Sequence, residues 1–124
     1  MRKVVLYSML LSSSFAVHGA EYFDERFAPG YQLLDDGEFD KALEAFNELK
    51  TETPESALVD YSIASTYYKK AVARISDENK EEVIESLTQA KERFEELIRI
   101  PELFLKENAP FNSANCSAQI AKLY

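Results

Sequence analysis

Apolar residues recur at steps of three and four positions through most of the chain after Glu21, which is the spacing of one face of an α-helix. Proline and glycine are sparse in this part of the chain and lie where helices would begin or end. Strands are not expected, and the sequence therefore predicts an all-α fold. The clearest predicted helix follows Gly37, and its core-facing stripe consists of Phe39, Ala42, Leu43, Phe46 and Leu49.

A second helix is predicted to start at Thr53 and Pro54, because the hydroxyl can accept a backbone N–H and proline is tolerated in a first turn. The apolar residues of this segment cover more than one stripe, which indicates a helix packed on two sides. The helix is predicted to end near Arg74.

Asn79, with Glu82 three residues later, has the spacing of a reciprocal cap and predicts the start of a third helix. Pro101 is expected to end this helix, since proline cannot continue the backbone hydrogen bonds. Residues 103–110 are predicted to form an irregular link or a single turn, and residues 113–124 a final helix.

The beginning of the chain has the pattern of a secretory signal. A basic start is followed by an apolar segment at residues 4–17 and by the small residues Gly19 and Ala20. We expect residues 1–20 to be a signal peptide, cleaved after Gly19 or after Ala20, and residues 21–124 to be one helical domain that is periplasmic or secreted. The alternative is an uncleaved membrane anchor, although an apolar run of about 14 residues is short against the ~20 of a spanning helix.

The predicted mature chain is acidic. The whole sequence has a formal net charge of −8, and loss of Arg2 and Lys3 with the signal takes this charge to −10. Nucleic acids and anionic membrane surfaces attract clusters of lysine and arginine, so this balance argues against both as partners.

The sequence offers little for catalysis. His18 is the only histidine and lies in the predicted signal, so the mature chain lacks the commonest general base and nitrogen metal ligand. We predict no enzyme activity, no catalytic residue, no cofactor and no metal site. The acids within residues 35–40 and 77–82 lie at predicted helix starts, where a solvated charged face is the preferred interpretation over a cation site.

Cys116 is the only cysteine, which excludes a disulfide within the chain. No cysteine lies near the predicted cleavage site, so no lipid anchor is expected. A small apolar residue on a helix is the preferred interpretation of Cys116, and a disulfide between two chains is the alternative.

The segment from Gly37 to Pro54 resembles the second helix of a tetratricopeptide repeat and its closing proline. The residues that carry the resemblance are Gly37, Phe39, Ala42, Phe46, Leu49 and Pro54. In that family the alanine lets two antiparallel helices approach closely and the aromatic residues fill the groove of the hairpin. The resemblance implies antiparallel helical hairpins stacked into a solenoid.

The signature of the family's first helix occurs twice, with a weaker third copy. The identical copies are Ile63, Ala64, Tyr67 and Ile120, Ala121, Tyr124, and the weaker copy is Gly30 with Leu33. The resemblance thus implies about two repeats plus a terminal helix. Pro29 interrupts the usual pattern and predicts a first helix of only two turns.

The second repeat is predicted to be longer than the first. The pattern Ala42, Phe46, Leu49 returns as Ala90, Phe94, Leu97 after 48 residues, whereas the family spacing is 34. Antiparallel helices stay matched only if both lengthen, so each helix of the second hairpin should gain about two turns.

In this family the first helices line a concave groove that grips a segment of another protein. Carried over by spacing, the predicted groove residues are Phe27, Tyr31, Leu34, Tyr61, Ser65, Tyr68 and Lys69. Tyrosine suits such a surface because it combines a large apolar area with a polar tip. Burial in the core is the alternative, and it is the preferred interpretation of Tyr67.

The end of the chain is apolar, whereas a solenoid normally ends in a helix with a polar outer side. Ile120, Leu123 and Tyr124 are the predicted open-end interface, explained by a longer repeat array, a homodimer through the last helix, or a partner helix. The predicted function is a protein–protein interaction adaptor in the cell envelope, acting through the groove or the open end. The alternatives are the interaction arm of a longer or multi-chain enzyme or transport assembly, and a self-associating structural subunit.

Overall fold

The computed structural model describes residues 24–124, so the signal predicted in residues 1–20 lies outside the described residues. A short 3-10 turn, Glu25–Phe27, leads into five α-helices, and residues 24–124 contain no strand. The prediction of an all-α fold is confirmed. The helices are α1 (Ala28–Asp35), α2 (Phe39–Glu52), α3 (Ala57–Ala73), α4 (Lys80–Leu97) and α5 (Leu103–Leu123).

An ion pair joins α2 and α3 at each end and shows that these helices run antiparallel. Nζ of Lys50 lies 2.8 Å from Oδ2 of Asp60, and Nζ of Lys70 lies 2.6 Å from Oδ1 of Asp40. The hydrogen bond from Lys70 holds the pKa of Asp40 below its usual value. Because both pairs are partly exposed to water, they define the orientation of the helices more than they stabilise the fold.

Three helices, α1, α3 and α5, lie side by side and point in one direction. The hydroxyl oxygens of Tyr31 and Ser62 are 2.7 Å apart, and the rings of Tyr61 and Phe104 are 5.0 Å apart. Each helix also contacts the next along the chain, so α2 packs between α1 and α3, and α4 between α3 and α5. The result is two layers, with α1, α3 and α5 in one and α2 and α4 in the other.

Alanine and aromatic residues fill the contact between the two layers. Ala42, Ala64 and Ala90 are fully buried, which lets neighbouring helices approach closely. The rings of Phe46 and Phe94, one on each helix of the second layer, meet tyrosine rings of the first layer edge to face. The same arrangement therefore occurs twice along the chain.

Helix lengths agree with the predicted insertion in direction, although α4 is longer than α2 by about one turn and not by two. α3 and α4 have 17 and 18 residues, whereas α1 and α2 have 8 and 14. Both helices of the second hairpin are thus longer than those of the first, as predicted. Pro29 lies in the first turn of α1, and this helix has about two turns.

The start of α3 differs from the prediction. Ser56, not Thr53, caps this helix, because the Ser56 hydroxyl accepts the N–H of Val59 at 3.4 Å. The Thr53 hydroxyl instead donates to the carbonyl of Leu49 at 2.8 Å, at the end of α2. The predicted cap at Thr53 is therefore wrong, since the carbonyls at the end of α2 also need donors.

Asn79 precedes α4 but makes no capping hydrogen bond, so the reciprocal cap predicted with Glu82 is not formed. Its amide nitrogen donates to the carbonyl of Arg74 at 2.7 Å, and its side-chain oxygen accepts the N–H of Ser76 at 3.0 Å. Asn79 therefore holds the turn between α3 and α4 closed.

α5 continues through Pro110, so the irregular link predicted over residues 103–110 is wrong. Pro110 is exposed and lacks the N–H that would donate within the helix. Packing on both sides of it offsets this loss, since contacts with α3 and α4 hold the helix in place. The buried residues of α5 around Pro110 are Phe104, Leu105, Asn108, Ala109, Asn112, Ser113 and Cys116.

Candidate partner-binding groove

A groove of about 660 Å³ lies on the side of the molecule formed by α1, α3 and α5. Its apolar wall includes Phe111, whose surface is 53% exposed. Polar side chains line the same space and bring one cation, one carboxylate and two amides. The groove is lined by Leu34, Asp35, Gly37, Phe39, Tyr68, Lys69, Val72, Ala73, Phe111, Asn115 and Gln119.

One end of the groove is shaped by the turn at Gly37. This residue has φ of +79°, a conformation that residues with a Cβ rarely adopt. Its N–H donates to the carbonyl of Leu34 at 3.1 Å, and the N–H of Glu38 donates to that of Leu33 at 2.9 Å. The turn ends α1 and places Phe39, the first residue of α2, at the edge of the groove.

Lys69 is half-buried on the α3 side of the groove. Burial lowers the pKa of its ammonium, whereas the nearby carboxylate of Asp35 raises that pKa. A partly desolvated lysine interacts more strongly with an incoming acceptor than a fully hydrated one does. Lys69 can therefore orient a polar group of a ligand.

The two amides of the groove belong to α5 and are connected to α3. Nδ2 of Asn115 donates to Oδ1 of Asn112 at 3.2 Å, and Nδ2 of Asn112 donates to the Tyr61 hydroxyl at 2.6 Å. The side chain of Gln119 meets the hydroxyl of Tyr68. These contacts fix the amide groups in place before any ligand binds.

Three of the seven predicted groove residues line the groove, namely Leu34, Tyr68 and Lys69. Leu34 and Tyr68 are 6% exposed, so they form the floor and present only an edge to solvent. Lys69 is the most accessible of the three and lies beside the open space.

The structure places the other four in the interior, namely Phe27, Tyr31, Tyr61 and Ser65. Tyr31 and Tyr61 are 5% and 1% exposed, and burial raises the pKa of both hydroxyls above the usual value for tyrosine. These residues support the contact between α1, α3 and α5, where a partner in the groove does not reach them. Tyr67, by contrast, is half-buried, and the guanidinium of Arg93 lies 4.9 Å above its ring.

Sequence reasoning missed the contribution of α5 to the groove. Phe111 precedes the helix predicted from residue 113, and the predicted groove does not include Asn115 or Gln119. One sequence signal does indicate that the last helix begins before Pro110. Leu105 and Ala109 are four residues apart, which is the spacing of one face of an α-helix.

The predicted open-end residues fall into three different environments. Ile120 is half-buried, Leu123 is 9% exposed and therefore packed, and Tyr124 is 90% exposed. Leu103, at the opposite end of α5, is 61% exposed. The exposed apolar surface of α5 thus includes its start as well as its end.

Cys116 is fully buried between α5 and its neighbours. Loss of solvation raises the pKa of its thiol to about 12, although the ammonium of Lys91 acts in the opposite direction. In the packed fold this sulfur cannot reach another chain, so the alternative of an intermolecular disulfide needs local unfolding.

Acidic side chains do not converge on a common point within residues 24–124. No group of three histidine, cysteine, aspartate or glutamate side chains in this range could hold a metal ion. In the same part of the chain, no helix combines the length and the apolar character required to cross a bilayer.

Comparison of the chain with known protein families, with curated proteins and with solved structures finds no match in any of the three.

Proposed function

We propose that this protein is an interaction module of the cell envelope that binds a segment of another protein in the groove between α1, α3 and α5. The observation that carries the proposal is the combination of an exposed apolar wall at Phe111 with fixed amides at Asn115 and Gln119. Large apolar side chains exposed beside polar groups are typical of interaction sites.

A peptide segment fits this groove better than a small polar metabolite does. A peptide offers apolar side chains for the wall around Phe39, Val72 and Phe111, and backbone groups for the amides. Because the groove is open to solvent, a peptide can lie in it while the chain continues beyond the groove in both directions. The ammonium of Lys69 favours a bound segment that places a carboxylate or carbonyl oxygen next to it.

The proposal includes a tetratricopeptide-like stacking of the helices. It is supported by the alternation of two layers, by buried alanines at the contacts, and by the return of the pattern at Ala42 and Phe46 as Ala90 and Phe94. In such a stack the first helix of every hairpin faces the same side, which makes one continuous binding surface.

Export is the second part of the proposal and rests on the signal-like pattern of residues 1–20. Intact mass spectrometry of the protein recovered from its native host tests it. The expected mass corresponds to a chain that begins at residue 20 or 21, whereas the mass of the uncleaved chain would contradict export by signal cleavage.

Site-specific photo-crosslinking tests the groove. A photoreactive phenylalanine analogue replaces Phe111, and in a matched variant it replaces Glu48, which is exposed on α2 in the other layer. We expect crosslinks to a discrete partner segment from position 111 and none from position 48. Ala73→Glu, which adds bulk and charge to the groove wall, should abolish these crosslinks.

Equal crosslinking from positions 48 and 111, or crosslinks at position 111 that persist in Ala73→Glu, would remove the groove from consideration. A substitution outside the groove, Thr88→Glu on the exposed surface of α4, should leave the crosslinks unchanged. The two glutamate variants carry the same added charge, so a general electrostatic effect would appear in both.

The exposed apolar surface of α5 favours a second candidate function. Leu103 and Tyr124 are 61% and 90% exposed at the two ends of this helix. Through this surface the protein would act as the interaction arm of a larger assembly, or it would associate with itself.

A further inference from the structure

The side of α5 that faces away from α3 and α4 is apolar and uncovered in the part of the chain that the structure describes. We call it the α5 face, and it consists of the exposed residues Leu103, Pro110, Ala114, Ala118 and Ala121. These positions recur at helical spacing over the length of α5, so they form one stripe, which contains one exposed carboxylate, Glu107, between Leu103 and Pro110. Lys106 and Lys122, which are also exposed, lie on the two flanks of the stripe.

The corresponding sides of α1 and α3 are each covered by the helix that follows. On α1, Gly30 lies directly beneath the ring of Phe46 from α2. On α3, Ala64 is fully buried and the neighbouring ring of Tyr61 meets Phe94 of α4 at 5.6 Å. Ala121 is the counterpart of Ala64 in the repeated triplet of residues, yet Ala121 is exposed.

The helices that cover these two surfaces, α2 and α4, share a sequence pattern, which indicates the kind of helix that packs on such a surface. In α2 and α4 an alanine is followed by phenylalanine four residues later and by leucine three residues after that. In both helices acidic residues also outnumber basic ones. The residues of the shared pattern, all buried, are Ala42, Phe46, Leu49, Ala90, Phe94 and Leu97.

We propose that the α5 face binds an acidic amphipathic helix of a partner protein, running antiparallel to α5 and carrying this alanine, phenylalanine and leucine pattern. The contact repeats an interface that the molecule already makes twice, between α1 and α2 and between α3 and α4. The inference rests on the second candidate function above and is independent of the groove.

Charge decides between a partner helix and a second copy of α5. The two flanks of the α5 face carry Lys106 and Lys122, whereas Glu107 lies within the face near its start, so acidic residues on the edges of a partner helix complement the flanks. Two copies of α5 would instead bring four lysines and two glutamates to one seam, which leaves excess positive charge.

A peptide of residues 78–100 serves as the probe, because it contains α4 with its acidic face and its buried pattern. It is titrated into isotope-labelled protein of residues 21–124, and backbone amide shifts are followed by NMR. We expect saturable shifts at Ala114, Ala118 and Ala121. A peptide with Phe94→Ala should bind at least tenfold more weakly, because the aromatic ring fills the contact.

Two protein variants separate this surface from the groove. Ala118→Glu on the α5 face should weaken peptide binding at least tenfold, whereas Ala73→Glu in the groove should leave it unchanged. Absence of saturable shifts, shifts confined to the groove, or binding that is insensitive to Ala118→Glu would overturn the inference. So would a dimer of the protein alone that Ala118→Glu dissociates in sedimentation velocity, since the occupant would then be a second copy. The groove has its own test, since the crosslinks from position 111 are expected to disappear in Ala73→Glu, whereas peptide binding to the α5 face is not.

Discussion

Phe46 lies so close to Gly30 that a Cβ atom built on residue 30 would be 2.5 Å from Cε1 of its ring. Real Cβ atoms are essentially never this close to another heavy atom. The ring of Phe46 therefore packs directly on the backbone of α1. Gly30 is required here because it has no side chain to prevent this contact, and not because the backbone turns.

Gly30→Ala is expected to lower the free energy of unfolding by about 1–3 kcal/mol. Overpacking of the buried ring outweighs the gain of about 1 kcal/mol in helix propensity. Urea unfolding measures the change. Combination with Phe46→Leu should recover part of the loss, and strict additivity of the two substitutions would contradict a direct contact.

Tyr61→Phe should destabilise the fold by about 1–3 kcal/mol, because the buried Nδ2 of Asn112 loses the hydroxyl that accepts its hydrogen bond at 2.6 Å. Tyr67→Phe is the matched control, since this side chain is half-buried and is expected to change stability little. A double-mutant cycle of Tyr61→Phe with Asn112→Leu measures the coupling energy between the two side chains. A coupling energy near zero would contradict a stabilising hydrogen bond between them.

Stability should fall as pH rises above about 9, the ordinary pKa of a cysteine thiol, because Cys116 ionises in the unfolded chain but stays protonated in the fold. Its folded pKa of about 12 keeps the native thiol neutral through this window, so the unfolded state is the one that gains by losing a proton. Urea unfolding at pH 8 and pH 10 measures the difference.

Cys116→Ala is expected to reduce this pH dependence and leave the part due to Tyr31 and Tyr61, whose pKa values are also raised by burial. A thiol reagent should react with the wild-type protein only after urea is added. Rapid labelling of the folded protein would show that Cys116 is accessible, contrary to its full burial.

Pro110→Ala should raise the free energy of unfolding by about 1–2 kcal/mol. The substitution restores a backbone N–H inside α5, and this gain exceeds the entropy that proline removes from the unfolded chain. Pro101→Ala, in the connection between α4 and α5, is the control and should change stability little. Loss of stability in Pro110→Ala would mean that the proline ring makes a favourable contact.

Helices with a sharp apolar stripe could be predicted from the sequence, and α2 is the clearest example. Phe39, Ala42, Phe46 and Leu49 recur at helical spacing and lie on its inner side. The longer helices of the second hairpin could be predicted too, from the shift in the repeated pattern, but not the unequal gain, which is larger for α3 than for α4. The stacking of these hairpins as a tetratricopeptide-like solenoid stays a prediction.

Capping and the path of α5 could not be predicted, because each depends on competing partners in space. The hydroxyl of Thr53 had two possible partners, and it bonds the end of α2 and not the start of α3. Pro110 reads as a helix breaker when only local propensity is considered, whereas contacts with α3 and α4 hold the helix through it.

Of the seven predicted groove residues, three line the observed groove and four are buried beneath it, and the residues that α5 contributes were not predicted. Tyr31 and Tyr61 share a helix face with residues of the groove, and the sequence does not distinguish a floor from a layer beneath it. Their burial depends on how closely α1, α3 and α5 approach, which is a property of the assembled fold.

The hydrogen bond between Asn112 and Tyr61 joins positions that are 51 residues apart in the chain. Loss of the Tyr61 hydroxyl alone deprives the buried amide of Asn112 of its acceptor, so mutation along a lineage has to pass through a weakened intermediate or alter both sites together. Among descendants of this gene, a phenylalanine at position 61 is therefore expected to coincide with an apolar residue at position 112.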